Sequence, residues 1–114
     1  MRVTVEFTTP IPRLSETVEM AVYRIAQEAL TNAFRHASAS AIAVTLGVTD
    51  AVRLEIRDDG CGFDPHDRTR MHSFGLGSIG ERALAVGGAL GIESSPGAGT
   101  TVRFTCPSGP RRSG

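Results

Sequence analysis

Aromatic side chains are scarce in this chain: there is no tryptophan, one tyrosine and five phenylalanines. No run of about 18 apolar residues occurs, which argues against a membrane-crossing helix. The N-terminus lacks the basic, apolar and small-residue segments of a secretory signal. Cysteine occurs only as Cys61 and Cys106, without metal-ligand spacing. That excludes a disulfide framework and fits reduced thiols in a cytoplasmic chain. Twelve Lys and Arg balance twelve Asp and Glu, so there is no general electrostatic pull toward nucleic acid or anionic membrane. Neither a nucleic-acid partner nor direct membrane insertion is expected. With 114 residues the chain has room for one compact domain and not two. What it has in quantity is glycine, with thirteen residues that gather in clusters.

Arg2 to Phe7 alternates, with Val3, Val5 and Phe7 on one face, and reads as a half-buried strand ended by Pro10 and Pro12. Ser15 is placed to cap a helix that Glu16 opens and that runs to about Ala37. Ile42, Val44, Leu46 and Val48, then Val52, Leu54 and Ile56, alternate on either side of Thr49-Asp50, the pattern of a β-hairpin. Phe63 to Phe74 is polar and irregular and reads as a mobile loop. Glu81 to Val86 reads as helix, stopped by Gly87-Gly88. Leu90 and Ile92 mark one more strand, and Val102, Phe104 and Cys106 the last. Each apolar strand face needs cover. The economical fold is α+β: a two-layer sandwich of one largely antiparallel sheet, about five strands, with helices on one face. The domain is expected over residues 1–106, with 107–114 a flexible tail.

Two kinds of stretch carry candidate chemistry. In Tyr23 to Ala37, Glu28 and Asn32 lie four apart and so project from one side of the helix, with Arg35 following. A solvated face is the plain alternative for these residues. The glycine clusters are Asp58-Asp59-Gly60-Cys61-Gly62, Gly75-Leu76-Gly77-Ser78-Ile79-Gly80 and Gly97-Ala98-Gly99-Thr100. Glycine lets backbone approach a ligand closely. A carboxylate at a strand end, such as Asp58, accepts hydrogen bonds only and suits the exocyclic amine of adenine. The middle cluster matches G-x-G-x-x-G before a helix, where anions bind. It lacks both the preceding strand and the later acid of a dinucleotide fold, and alone it could be a flexible turn.

Taken in order, E-x-x-x-N on a helix, D-x-G-x-G, G-x-G opening a helix and G-x-G-T resemble the ATP-binding domain of the GHKL superfamily. The wording E-A-L-T-N-A-F-R-H-A followed by D-D-G-C-G-F is similar to sensor histidine kinases of the NarL/DesK type. The likeness runs from about Arg2 to Cys106. It implies that Asn32 coordinates Mg²⁺ through its amide oxygen, that Glu28 orients or activates the attacking group, and that Arg35 and His36 lie near the phosphates. It implies that Asp58 accepts the adenine amine, with Gly60, Gly62 and Phe63 beside the base and Thr100 supporting Asp58 through a shared water. Gly75, Leu76 and Gly77 become the phosphate-side loop, and residues 64–74 the ATP lid. ATP and Mg²⁺ are then the ligands, and the work is phosphoryl transfer by positioning and charge neutralisation.

Gly80 departs from the family, which often has Arg there in G-M-R-E-R. None of His36, His66 and His72 sits in an acceptor helix of the E-L-H-D kind. The resemblance therefore implies a catalytic piece of a longer, membrane-associated kinase. Its partners are the dimerisation domain that carries the phosphoacceptor and a response regulator. A free-standing anti-sigma-factor serine kinase and a nucleotide-binding module without catalysis stand as alternatives.

Overall fold

The computed structural model describes residues 2–35 and 38–108. Its elements are β1 (Arg2–Phe7), α1 (Glu16–Arg35), β2 (Ala41–Val48), β3 (Ala51–Asp58), α2 (Arg68–Ser73), α3 (Leu76–Ala85), β4 (Ala89–Ser94) and β5 (Thr100–Pro107). The strands form one sheet in the order β1-β2-β3-β5-β4. β1 runs parallel to β2 and the other neighbours are antiparallel. This is the expected α+β sandwich, and α1 is the long connection that a parallel pair needs.

Alternation decides which face is dry. Val52, Leu54 and Ile56 of β3 stand beside Cys106, Phe104 and Val102 of β5, and all six are buried. Onto this surface α1 and α3 pack. α1 brings Val18, Ala21, Ile25, Ala29 and Ala33, the i, i+3, i+4, i+7 stripe of an amphipathic helix. Three of those five are alanine, so the helix lies close. Ser15 caps α1 by accepting the Val18 N–H on its hydroxyl, 3.2 Å away. The opposite sheet face carries Arg53, Glu55, Arg57 and Arg103, with Arg103 paired to Glu55 at 3.2 Å and also to Glu93.

Four expectations need correction. β1 is not half-buried: Val3, Val5 and Phe7 share the face of Ile42, Val44 and Leu46, yet they are 47%, 58% and 61% exposed. The reason is that α1 lies over β3 and β5, leaving the sheet edge bare. Residues 63–74 are not simply an irregular loop. They contain α2, capped by Asp67, whose carboxylate accepts the Thr69 and Arg70 N–H groups at 3.0 and 3.2 Å. The second long helix starts at Leu76 rather than Glu81. Burial of Leu76, Ile79 and Ala83 outweighs the poor propensity of Gly77 and Gly80. Pro107 belongs to β5 opposite Ala51, and Ser108 N–H donates to the Asp50 carbonyl at 3.2 Å, so the strand outlasts Cys106. The expected helix end at Ala37, the His36 contact and the rest of the tail fall outside the described residues.

Candidate functional site

Glu28 and Asn32 stand one turn apart on α1, and both meet the junction between α2 and α3. Asn32 Nδ2 donates to the Phe74 carbonyl at 2.7 Å. That oxygen can only accept, so the chemistry itself fixes which end of the amide faces it. Asn32 Oδ1 is left for another partner. The Glu28 carboxylate lies against Gly75, where an added Cβ would stand 2.5 Å from Oε1. Gly75 has φ 66° and ψ 20°, left-handed backbone that favours glycine.

Asp58 faces these residues from the sheet. It ends β3 between Ile42 and Thr100, and the two-residue period that buries Val52, Leu54 and Ile56 aims it at the same layer. Its Oδ1 accepts the Gly60 N–H at 2.8 Å. Burial raises its pKa above the ordinary value of 3.8, against the lowering effect of backbone N–H bonds from Gly60 and Thr100. Asp59 points the other way and pins the start of β2: it accepts the Ser40 and Ala41 N–H groups at 2.8 and 3.0 Å and the Ser40 hydroxyl. Those bonds, the Ser40 hydroxyl first, lower its pKa. The neighbours therefore have opposite linkage. Asp58's contribution to stability is present below the unfolded pKa and is lost as pH rises through its raised folded value. Asp59's is present above the unfolded pKa and is lost as pH falls through its depressed folded value. The sequence reading missed this structural role of Asp59.

The first and third glycine clusters are held together as one backbone unit. A Cβ on Gly62 (φ 64°) would meet Ser95 O at 2.1 Å, and one on Gly99 (φ 74°) would meet Asp58 O at 2.3 Å. Ser94 Oγ accepts the Phe63 N–H at 2.9 Å, donates to Gly99 O at 2.9 Å and lies 2.9 Å from Thr100 Oγ1. The Thr100 hydroxyl is thus engaged by Ser94, a residue that sequence reasoning did not single out. Gly62→Ala should cost about 2 kcal/mol or more, from left-handed strain together with the backbone clash. A Tm lower by about 10 °C in a thermal melt is the expected result.

Between these walls lies a cavity of ≈ 20 Å³. Its apolar sides are Ala29, Ile56, Leu76 and Val102; Asn32, Asp58 and Thr100 supply polar atoms. Gly62, Phe63, Phe74 and the exposed Cys61 complete it. Of the expected site residues, Asn32, Asp58, Gly62, Phe63, Leu76 and Thr100 are thus brought together. Glu28 and Gly75 sit beside them, and Gly60 is buried within the turn. Leu76 and Gly77 belong to the first turn of α3 and not to a loop, and Gly77 is exposed. Arg35 is exposed at the last turn of α1, away from the cavity lining. Phe74, expected at the end of the polar loop and the lid, is buried and meets Phe63 edge to face, ring centroids 4.9 Å apart.

The family model for "Histidine kinase-, DNA gyrase B-, and HSP90-like ATPase" matches residues 17–110. The chain belongs to this family. The family is one of ATPases, so ATP is the ligand of this fold. The chain is 40% identical over 102 residues to the sensor histidine kinase LiaS of Bacillus subtilis, covering 89% of this chain and 28% of LiaS. It is 44% identical over 101 residues to an uncharacterized sensor-like histidine kinase of Chloroflexus aurantiacus, covering 83% of this chain and 17% of that protein. It thus spans less than a third of the curated relatives it matches. The structure of full-length ShkA in complex with AMPPNP superposes with a TM-score of 0.73 at 22% identity, covering 93% of this chain and 25% of that one. This shared fold is that of the ATPase family; of the two longer relatives matched by sequence, one is a sensor histidine kinase and the other an uncharacterized sensor-like histidine kinase. No described helix is long and apolar enough to cross a membrane.

Proposed function

We propose that the chain is the catalytic ATP-binding domain of a sensor histidine kinase. It binds Mg·ATP and donates the γ-phosphate to a histidine on a dimerisation domain of the same kinase, for relay to a response regulator. The observation that carries this reading is convergence: Asn32 from α1, Asp58 from β3 and the start of α3 meet around one apolar cleft. Asp58 offers the acceptor for the adenine amine. The apolar walls take the base, and α3, whose N-cap Gly75 makes no side-chain bond, presents free N–H groups to phosphate. Asn32 has its nitrogen committed to Phe74 and its oxygen uncommitted, which fits a hard cation held mainly by phosphates and water. Bound there, Mg²⁺ would neutralise phosphate charge. Glu28, whose carboxylate lies against Gly75, is assigned to orienting the attacking group. Arg35 and His36 are assigned to the phosphates, and a cytoplasmic location and a membrane-associated parent kinase belong to the same reading.

The test is phosphotransfer in trans. The domain incubated alone with labelled ATP should carry no label on His66, His72 or His36. Supplied with the dimerisation domain of its kinase, it should label that domain. Label on its own histidines would overturn the assignment. A second reading, nucleotide binding without transfer, draws on Gly80. Apart from its chain neighbours and its own helix backbone, no described atom lies within 4 Å of where its Cβ would stand, so the position has room for a longer side chain. ATP binding with no transfer, and restoration by Gly80→Arg, would favour it.

A further inference from the structure

The cavity where the base should sit has room for about one water, not a purine. Two aromatic residues, Phe63 and Phe74, line it, and they are not held alike. Phe63 is anchored in the glycine unit: its N–H is taken by Ser94 Oγ at 2.9 Å, and Gly62 before it is locked against Ser95 O. Phe74 comes from the other side, at the end of α2, a six-residue helix in which no residue is buried. Phe74 itself is 7% exposed. Its ring packs on Phe63 at 80°, and its carbonyl receives the Asn32 amide across 2.7 Å. Of the two rings, Phe74 is thus the one carried by the segment with less buried support, and Asn32 holds the backbone of that residue.

We infer that Phe74 gates the base pocket: its ring stands at the purine position when the gate is closed, and Asn32 latches it there through the Phe74 carbonyl. The inference rests on the nucleotide-site reading above. It gives Asn32 a task separate from any metal, because the latch uses Nδ2 and the metal would use Oδ1. It also explains why an amide suits this position where a carboxylate would not. Aspartate has an oxygen in place of the nitrogen and would face the Phe74 oxygen acceptor to acceptor.

A closed gate lowers the apparent affinity for the base by the fraction of molecules that are open. Removing either the latch or the ring should raise it. The probe is adenosine without metal, which has neither phosphate nor a use for a magnesium ligand. Asn32→Ala should bind adenosine about five-fold more tightly than the unmodified chain, the ratio set by one hydrogen bond of ordinary net strength. Phe74→Ala should also bind it more tightly, and the double variant no more tightly than Phe74→Ala alone. Tm is recorded for each; if Phe74→Ala does not fold, Asn32→Ala, which keeps the ring, decides. Adenosine affinity unchanged or weakened in folded Asn32→Ala overturns the gate. So does adenosine that binds none of the proteins. Titration of the unmodified chain with Mg·ATP then separates the two claims. Binding there leaves the nucleotide site standing without a gate, and its absence removes both.

Discussion

Asp58→Ala should lose the preference for ATP over GTP, the ratio of affinities falling toward one as ATP binding weakens by about ten- to a hundred-fold. In the proposed arrangement the carboxylate meets the amine of adenine, where guanine presents a carbonyl at the same edge. Only an acceptor rejects guanine, because two acceptors would face each other without a proton. Asp58→Asn should therefore admit GTP, since its amide can turn a donor toward that carbonyl. Calorimetric titration with both nucleotides measures the ratio, and an unchanged ratio in Asp58→Ala would sink the adenine contact. The same logic fixes the pH dependence. Burial holds the Asp58 pKa above 3.8, and the accepting form is the carboxylate. Selectivity should be full above that raised pKa and fall as pH drops through it. The free protein's own linkage at Asp58 runs in the opposite direction, so weaker binding in acid would not be a trace of unfolding at this residue.

Asn32→Ala should have effects of opposite sign on two ligands. With Mg·ATP it should weaken binding by about ten-fold or more, because the proposed role makes Asn32 a ligand of the cation that organises the phosphates. With metal-free adenosine it should strengthen binding, because the Phe74 latch is released. A simple loss of folding would weaken both. Equal weakening of Mg·ATP and metal-free ATP would remove the metal assignment.

The hairpin of β2 and β3 and the final strand were legible because alternation over seven or eight residues has one physical meaning. So was Asp58, because β3's period carries straight through to it. Legibility ended where partners lie far apart in sequence. Phe63 finds Ser94 31 residues away, and Asn32 finds Phe74 42 residues away; no local pattern encodes either. α2 was missed because a short helix with no buried side chain has no apolar stripe to read. The start of α3 was hidden by its glycines, which local propensity rejects and tertiary burial overrides. β1 misled for the converse reason. Its sequence alternates like that of a covered strand, but alternation cannot say whether any element lies over it, and none does among the described residues.

The bare rim at Val3, Val5 and Phe7 has a practical consequence. An open strand with an apolar face offers unpaired backbone groups and greasy side chains together, a template onto which other extended segments can add. Arg2 and Glu6, alternating on the reverse side, blunt it only from behind. Handling of the purified domain is thus governed by concentration, with scattering from self-associated material expected to rise before any loss of helical signal. A charge introduced in place of Val5 would relieve this while touching nothing in the nucleotide cleft.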